Sequence, residues 1–183
     1  GELLKRMTAL DEKFIGVDDR MLTASMEIAN ELDLFFRDFN SEYAAMFPDE
    51  VVQQIVLHEH LYRGDTPAIK TGLLNMSREM DLREETAPLI GRLTDYEKEY
   101  GISTYTLYQL KEGEELHPYR FEGSEYLEAA GLSVDRANYE AVYAAPLTPG
   151  ENLESIYTDL NIHRPDNFRG HSLSVSDVVV LQE

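Results

Sequence analysis

The densest group of polar side chains that could do chemistry lies in residues 164–177, with the sequence RPDNFRGHSLSVSD. Ser, His and Asp occur here within seven residues, and they supply the nucleophile, the base and the orienting acid of a catalytic triad. Working triads, however, are assembled in space together with oxyanion donors, and no Gly-x-Ser-x-Gly elbow occurs in the chain. We therefore assign no catalytic residue.

The same segment contains a small basic group. Arg164 and Arg169 are two of only five Lys or Arg residues after position 100, and His171 lies beside them. These three side chains are our candidate binding residues, with an acidic group as the ligand. The better supported interpretation is a solvated structural loop, in which Gly170 permits a sharp turn and Asp177 bonds to the backbone.

The tripeptide His58-Glu59-His60 has residue types that bind metal ions. On a helix, however, residues two positions apart point about 200° away from each other, so His58 and His60 do not face one ligand. The zinc-protease pattern needs two His four positions apart, and it is absent. No Walker sequence or Gly-rich dinucleotide turn occurs either. We predict no metal site and no cofactor.

Composition excludes further classes of function. The chain has 183 residues, no Cys, and 35 acidic against 16 basic side chains, which gives a net charge of −19. The absence of Cys excludes disulfides, thiol nucleophiles and Cys-ligated metal sites. The charge argues against direct nucleic-acid binding, because contacts to phosphates need clustered Lys and Arg. No apolar run approaches the roughly 20 residues of a membrane span, so we predict a soluble protein without a membrane partner.

The first hundred residues show apolar side chains at spacings of three and four, which is typical of amphipathic helices. Start and stop signals predict five helices, beginning at residue 3, near 18, at 48, near 66 and near 86 to 88. Gly16 is expected to end the first helix. The second helix is expected to carry an aromatic stripe through Met46 and Phe47. We interpret this stripe as a core seam and not as a cofactor surface.

After Gly101 the pattern changes to strands and helices mixed with short turns. We predict strands at 104–111, 118–122, 139–145 and 175–181, and helices at 124–130 and 152–161. The fold class is therefore α+β, with an N-terminal helical bundle over 1–101 and a small mixed α+β domain over 102–183. The chain stops inside the run VVVLQE, so we expect the second domain to be truncated at its C-terminus.

Four segments of the second half carry a resemblance to a known family. They are Tyr105-Thr-Leu-Tyr-Gln-Leu-Lys111, Asn138-Tyr-Glu-Ala-Val-Tyr143, Pro146-Leu-Thr-Pro-Gly150 with Leu153, Ile156 and Tyr157 after it, and Phe168-Arg-Gly-His-Ser-Leu-Ser-Val-Ser-Asp-Val178. In this combination the half resembles the YodL-like domain family. The resemblance implies a bacterial, cytoplasmic protein, part of a larger chain linked to mobile genetic elements, and it implies no enzymatic activity.

We therefore predict a non-enzymatic interaction or regulatory module that binds a protein partner or another domain of its parent chain. Two alternatives remain. One is an enzyme of unrecognised type, and the other is an acidic decoy that mimics the phosphates of DNA. The acidic residues are spread over both halves of the sequence, which weakens the second alternative.

Overall fold

The computed structural model describes residues 2–111, 136–174 and 176–182, and it describes side chains from residue 20 onward. Within these ranges four α-helices precede a three-stranded antiparallel sheet and a further helix. The predicted fold class, α+β, is confirmed. None of the helices in the described ranges is long and apolar enough to cross a membrane.

The helices of the first half are α1 (Glu2–Tyr43), α2 (Pro48–Tyr62), α3 (Thr66–Met80) and α4 (Arg83–Glu99). The predicted helix end at Gly16 is wrong, because α1 continues through this residue and joins two predicted helices. One glycine within a helix costs only about 1 kcal/mol relative to alanine, which does not by itself end the helix. The end lies at Tyr43 instead, so Met46 and Phe47 fall in the connection to α2 and are exposed.

α4 begins at Arg83, which is earlier than the predicted start at Thr86 or Pro88. Asp81 adopts a left-handed φ of 53° and ends α3, so the chain turns and starts the next helix two residues later. The hydroxyl of Thr86, one of the two residues at the predicted start, donates to the Leu82 carbonyl at 2.9 Å. A hydroxyl that bonds four residues back is compatible with a helix interior, and therefore it does not mark the helix start.

The core of the helical half lies between all four helices and is mainly aliphatic. Its buried members are Ile28, Leu32, Phe36, Leu57, Leu61, Ile69, Leu73, Leu89 and Leu93. A smaller cluster of Phe39, Met76 and Leu82 continues it. Most of the aromatic stripe on α1 therefore packs into the core. A buried ion pair between Lys70 of α3 and Glu97 of α4 lies beside these apolar contacts.

The second half contains strands β1 (Thr104–Leu110), β2 (Tyr139–Pro146) and β3 (Val178–Gln182), in the order β2-β1-β3. Both pairings with the central strand are antiparallel. β3 begins at residue 178 and not at 175 as predicted. The predicted strand at 118–122 and helix at 124–130 lie outside the described residues.

Helix α5 (Leu153–Asn161) connects β2 to the loop that leads to β3. Its start is fixed by a capping box, in which the Asn152 side chain and the Ser155 side chain each accept a hydrogen bond from the other residue's backbone N–H. Ile156 and Leu160 are buried against the sheet. The predicted helix from 152 to 161 therefore agrees with the structure to within one residue.

One face of α3 lies along the edge of β2 and joins the two halves. The buried Thr71 hydroxyl donates to the Ala144 carbonyl at 2.8 Å and accepts from the Ala144 N–H at 2.9 Å. One and two turns further along the helix, the Asn75 amide donates to the Asn167 carbonyl and Arg78 donates to the Val142 carbonyl. α3 thus supplies hydrogen bonds that a fourth strand would otherwise make. The division into domains 1–101 and 102–183 stays a prediction.

Candidate binding sites

Arg164, the first of the three predicted binding residues, bonds within its own loop. Its Nε donates to the Phe168 carbonyl at 3.2 Å, and its Nη2 donates to the Gly170 carbonyl. The guanidinium also lies over the Phe168 ring, with its central carbon 4.6 Å from the ring centroid. Arg164 therefore holds the loop closed around a buried aromatic side chain.

Arg169 connects the loop to the helical half. Its Nη1 lies 2.7 Å from each carboxylate oxygen of Glu79, which is on the last turn of α3. About 40% of each side chain is exposed, so solvent screens this ion pair and limits its contribution to stability. Both arginines thus have partners inside the protein. That they bind an acidic ligand stays a prediction.

His171 is held by its backbone, and its ring is exposed. The Gln109 side chain of β1 accepts from the His171 N–H at 2.9 Å and donates to the His171 carbonyl at 2.8 Å. Gly170 makes this approach possible, because a Cβ at this position would lie 2.5 Å from Gln109 Oε1. The chain bends at Gly170, and the lack of space for a Cβ is a second reason for glycine at this position. His171 itself lines the wall of a cleft between the two halves.

The end of the same loop contains a half-buried carboxyl group. Asp177 Oδ2 accepts from the Ser174 N–H at 2.9 Å and from Gln109 Nε2 at 3.2 Å. Burial raises the pKa of Asp177 above its ordinary value, while these two hydrogen bonds oppose the shift. These two bonds make Asp177 a structural contact that holds the end of the loop. Among the described residues, no nucleophile is hydrogen-bonded to a base beside this carboxylate.

A separate groove lies between α1 and the start of α4, with a volume of about 390 Å³. Its floor and walls are apolar and aromatic, and its rim is acidic. The apolar lining residues are Leu34, Phe35, Phe39, Tyr43, Leu82, Pro88 and Leu89. Among these lining residues Leu34 is 49% exposed, whereas Phe39 and Leu89 are buried. Exposed apolar surface next to a concave floor is typical of a protein-binding site.

The rim of this groove carries the carboxylates of Glu31, Asp38, Glu42 and Glu85. No Lys or Arg is among the described residues that line it. The pKa of Tyr43 is raised, chiefly by its side-chain hydrogen bond with Glu42, and the charges of Glu42 and Glu85 contribute. The carboxylates therefore make the rim of the groove negatively charged. At one end this charge is partly offset, because Arg92 Nε lies 3.6 Å from Glu31 Oε2.

Sequence reasoning did not find this groove, although α1 carries a weak signal for it. Acids at 31, 38 and 42 recur at spacings of seven and four, and apolar residues at 34, 35 and 39 lie between them. This spacing places both sets on one side of the helix. The other wall, however, comes from residues 82–89, and no local pattern shows that the two segments meet.

His58, the first histidine of the tripeptide at 58–60, contacts a neighbouring helix. His58 Nε2 lies 2.9 Å from Asp33 Oδ1 on α1, and its ring packs edge-on against Phe36. Among the residues that the structure describes, no group of three or more His, Asp or Glu side chains could hold a metal ion. His58 thus serves as a contact between α1 and α2.

Comparison with family models matches residues 104–183 to the YodL-like domain, a family of unknown function. The resemblance inferred from the four sequence segments is therefore confirmed for the C-terminal half. No curated protein and no solved structure shows a significant match to the chain.

Proposed function

We propose that this chain, whose residues 104–183 match the YodL-like domain, is a non-enzymatic interaction module. Its docking site is the groove between α1 and α4, and its ligand is a basic amphipathic helix of a protein partner. The observation that carries the proposal is an apolar groove with exposed Leu34 and Pro88 on its walls and four carboxylates at its rim. We keep the family-based expectation that the parent protein is bacterial, cytoplasmic and linked to mobile elements as part of this proposal.

The apolar floor supplies the binding energy in this proposal. Helices that bind in grooves insert apolar side chains at spacings of three and four, and a volume of about 390 Å³ accommodates several of them. Leu34 and Pro88 lie on the two walls and are both exposed. An apolar ridge between them would cover surface that now faces water.

The acidic rim determines which helix binds. Carboxylates on both walls attract Lys and Arg at the edges of a bound helix and repel an acidic helix. The net charge of −19 accelerates the association of any basic peptide, so charge alone does not locate the site. A test must therefore separate binding in the groove from general attraction to the protein.

The test uses a fluorescein-labelled synthetic helix of Leu and Lys with Leu at spacings of three and four, and a matched helix in which Glu replaces Lys. Fluorescence anisotropy measures binding to the full chain. We expect the Lys helix to bind and the Glu helix not to bind. Leu34→Glu should weaken binding roughly five- to tenfold, because the half-exposed Leu contributes about half of the 1.5–3 kcal/mol of a fully buried one.

Leu34→Glu also adds a negative charge, which makes the test selective. If the Lys helix were held only by non-specific attraction, its binding to this variant would strengthen or stay the same. That result would refute binding in the groove. Glu85→Lys and Asp95→Lys form a second matched pair on α4, since both change the charge by the same amount and only Glu85 lines the groove. We expect Glu85→Lys to weaken the binding of the Lys helix more than Asp95→Lys, which reports the effect of the change in net charge alone.

A further inference from the structure

A second concave surface lies where the end of α3 meets the first residue of α4 and the adjoining ends of β1 and β2. Its volume is about 420 Å³, within the range of roughly 300–1,000 Å³ that small-molecule sites occupy. Six of its eight lining residues are polar or charged: Arg78, Arg83, Gln109, Lys111, Glu140 and His171. This basic cleft has three formal positive charges against one negative charge, in a chain with a net charge of −19.

Arg78 is the central residue of the basic cleft. Its Nη2 bonds to the Asn75 side-chain oxygen at 3.0 Å and to the Val142 carbonyl at 3.4 Å, both of which are neutral acceptors. Its Nε is buried and has no hydrogen-bond partner among the described residues. Burial lowers the pKa of Arg78, and the charges of Glu140 and Glu79 oppose this shift. Neither carboxylate forms an ion pair with Arg78 in the part of the chain that the structure describes. A partly desolvated guanidinium whose bonded acceptors are neutral favours an added anion.

Lys111 and His171 lie on the same cleft and have side chains available to a ligand. Within the described ranges, the Lys111 ammonium makes no ion pair, and only its backbone N–H is bonded, to the Asn138 carbonyl. The His171 imidazole is exposed and also lines a smaller adjoining cavity of about 100 Å³. Gln109 holds the His171 backbone in place by two hydrogen bonds, so this wall of the cleft is pre-formed.

Arg83 and Glu140 form the opposite part of the lining. Arg83 Nε and Nη2 donate to Glu140 Oε2 at 3.3 and 3.2 Å, and Nη1 contacts Asp81 at 2.6 Å. This arginine is therefore already neutralised by the protein. Both bonds from Arg83 to Glu140 go to Oε2, so within the described ranges Glu140 Oε1 has no donor and can accept from a ligand hydroxyl.

We propose that the basic cleft binds a small sugar phosphate, with the phosphate between Arg78 and Lys111 and a sugar hydroxyl on Glu140. Arg and Lys provide the charge-assisted donors that a phosphate monoester requires. The cleft is larger than a phosphate group needs, and its mostly polar lining suits a polyhydroxylated body. A small dianion is favoured over a nucleic acid, because the charge of −19 repels a long polyanion much more strongly.

The test is an NMR titration of the ¹⁵N-labelled full chain with ribose 5-phosphate, inorganic phosphate and ribose, each added separately. We expect ribose 5-phosphate to shift the amide signals of Gln109, Leu110, Lys111 and His171 and to bind at least tenfold more tightly than inorganic phosphate. Ribose alone should shift none of them. Lys111→Gln should weaken the binding of ribose 5-phosphate at least tenfold, because it removes a charge-assisted hydrogen bond to the phosphate.

Lys98→Gln is the matched control, since Lys98 is exposed on α4 and does not line the cleft. Equal weakening by both Lys variants would refute the site, and so would shifts spread over the surface or the absence of any shift at the four amides. Binding of inorganic phosphate as tight as that of ribose 5-phosphate would refute the sugar component. Leu34→Glu should leave this binding unchanged, so this proposal and the helix-binding groove succeed or fail separately.

Discussion

The ion pair between Lys70 and Glu97 offers the sharpest test of how the helical half is held together. Glu97 is fully buried and Lys70 is 4% exposed, and Thr66 Oγ1 donates to the second carboxylate oxygen at 2.9 Å. Glu97→Leu leaves the Lys70 ammonium buried without its carboxylate. Lys70→Met leaves the carboxylate buried without its ammonium. The double variant removes both charges and places apolar side chains at the same contact.

The expected magnitude follows from the burial. Breaking a buried ion pair by removing one partner costs about 3–5 kcal/mol, whereas replacing both partners by apolar residues is often close to neutral. We therefore expect each single variant to lose about 4 kcal/mol and the double variant to lose less than either one. For a chain of 150–250 residues, about 2–4 °C of melting temperature is lost per kcal/mol, so each single variant should melt roughly 8–16 °C lower.

Urea denaturation followed by circular dichroism gives the free energy of unfolding of the wild type, the two single variants and the double variant. The coupling energy of this cycle isolates the pair from the side-chain changes themselves. Two results would refute the reasoning. One is a loss below about 1 kcal/mol in both single variants, and the other is a double variant whose loss equals the sum of the single losses.

Two further predictions concern the contact between the halves and the sheet core. Thr71→Val keeps the shape of a buried side chain but leaves the Ala144 N–H and carbonyl without their partner, so we expect a loss of about 1–3 kcal/mol in urea denaturation. Thr71→Ser should retain most of that stability, and equal stability of the Val variant would contradict the role of the hydroxyl. Burial, followed by the charge of Asp65, raises the pKa of Tyr143 from the ordinary value of 10 to about 12. Between these two pH values the unfolded chain loses the phenol proton and the folded chain keeps it, so the free energy of unfolding should fall as the pH rises from 10 to about 12. Ultraviolet titration should show a late tyrosine step that Tyr143→Phe reduces and that Tyr62→Phe, at an exposed site, leaves in place.

Local signals in the sequence account for most of the element order. Asp65 before Pro67, and Asn152 with Ser155, are capping patterns that depend only on nearby backbone, and the structure forms both caps. The alternation over 104–111 likewise predicts β1 (Thr104–Leu110) to within one residue at its end. The helix end at Gly16 and the helix start near Thr86 and Pro88 were wrong, because both rested on single-residue signals whose effect the surrounding helix outweighs.

The binding sites were less accessible to sequence reasoning. Arg164, Arg169 and His171 are neighbours in the sequence, yet the first bonds within its loop, the second pairs with Glu79, and the third lines a cleft. The cleft's other basic residues come from α3, α4 and the end of β1. A sequence shows which side chains are basic, but not which of them already have partners inside the fold.

The sequence by itself determined the α+β class, the order of most helices and strands, and the resemblance of the second half to the YodL-like domain. These follow from hydrophobic periodicity, from caps and from segment patterns, all of which act over a few residues. Only the tertiary structure decided that α3 borders β2, that α1 and α4 enclose an acidic groove, and that Lys70 meets Glu97 across 27 residues. Such contacts depend on how whole elements pack, because burial and pairing are properties of surfaces brought together from distant parts of the chain.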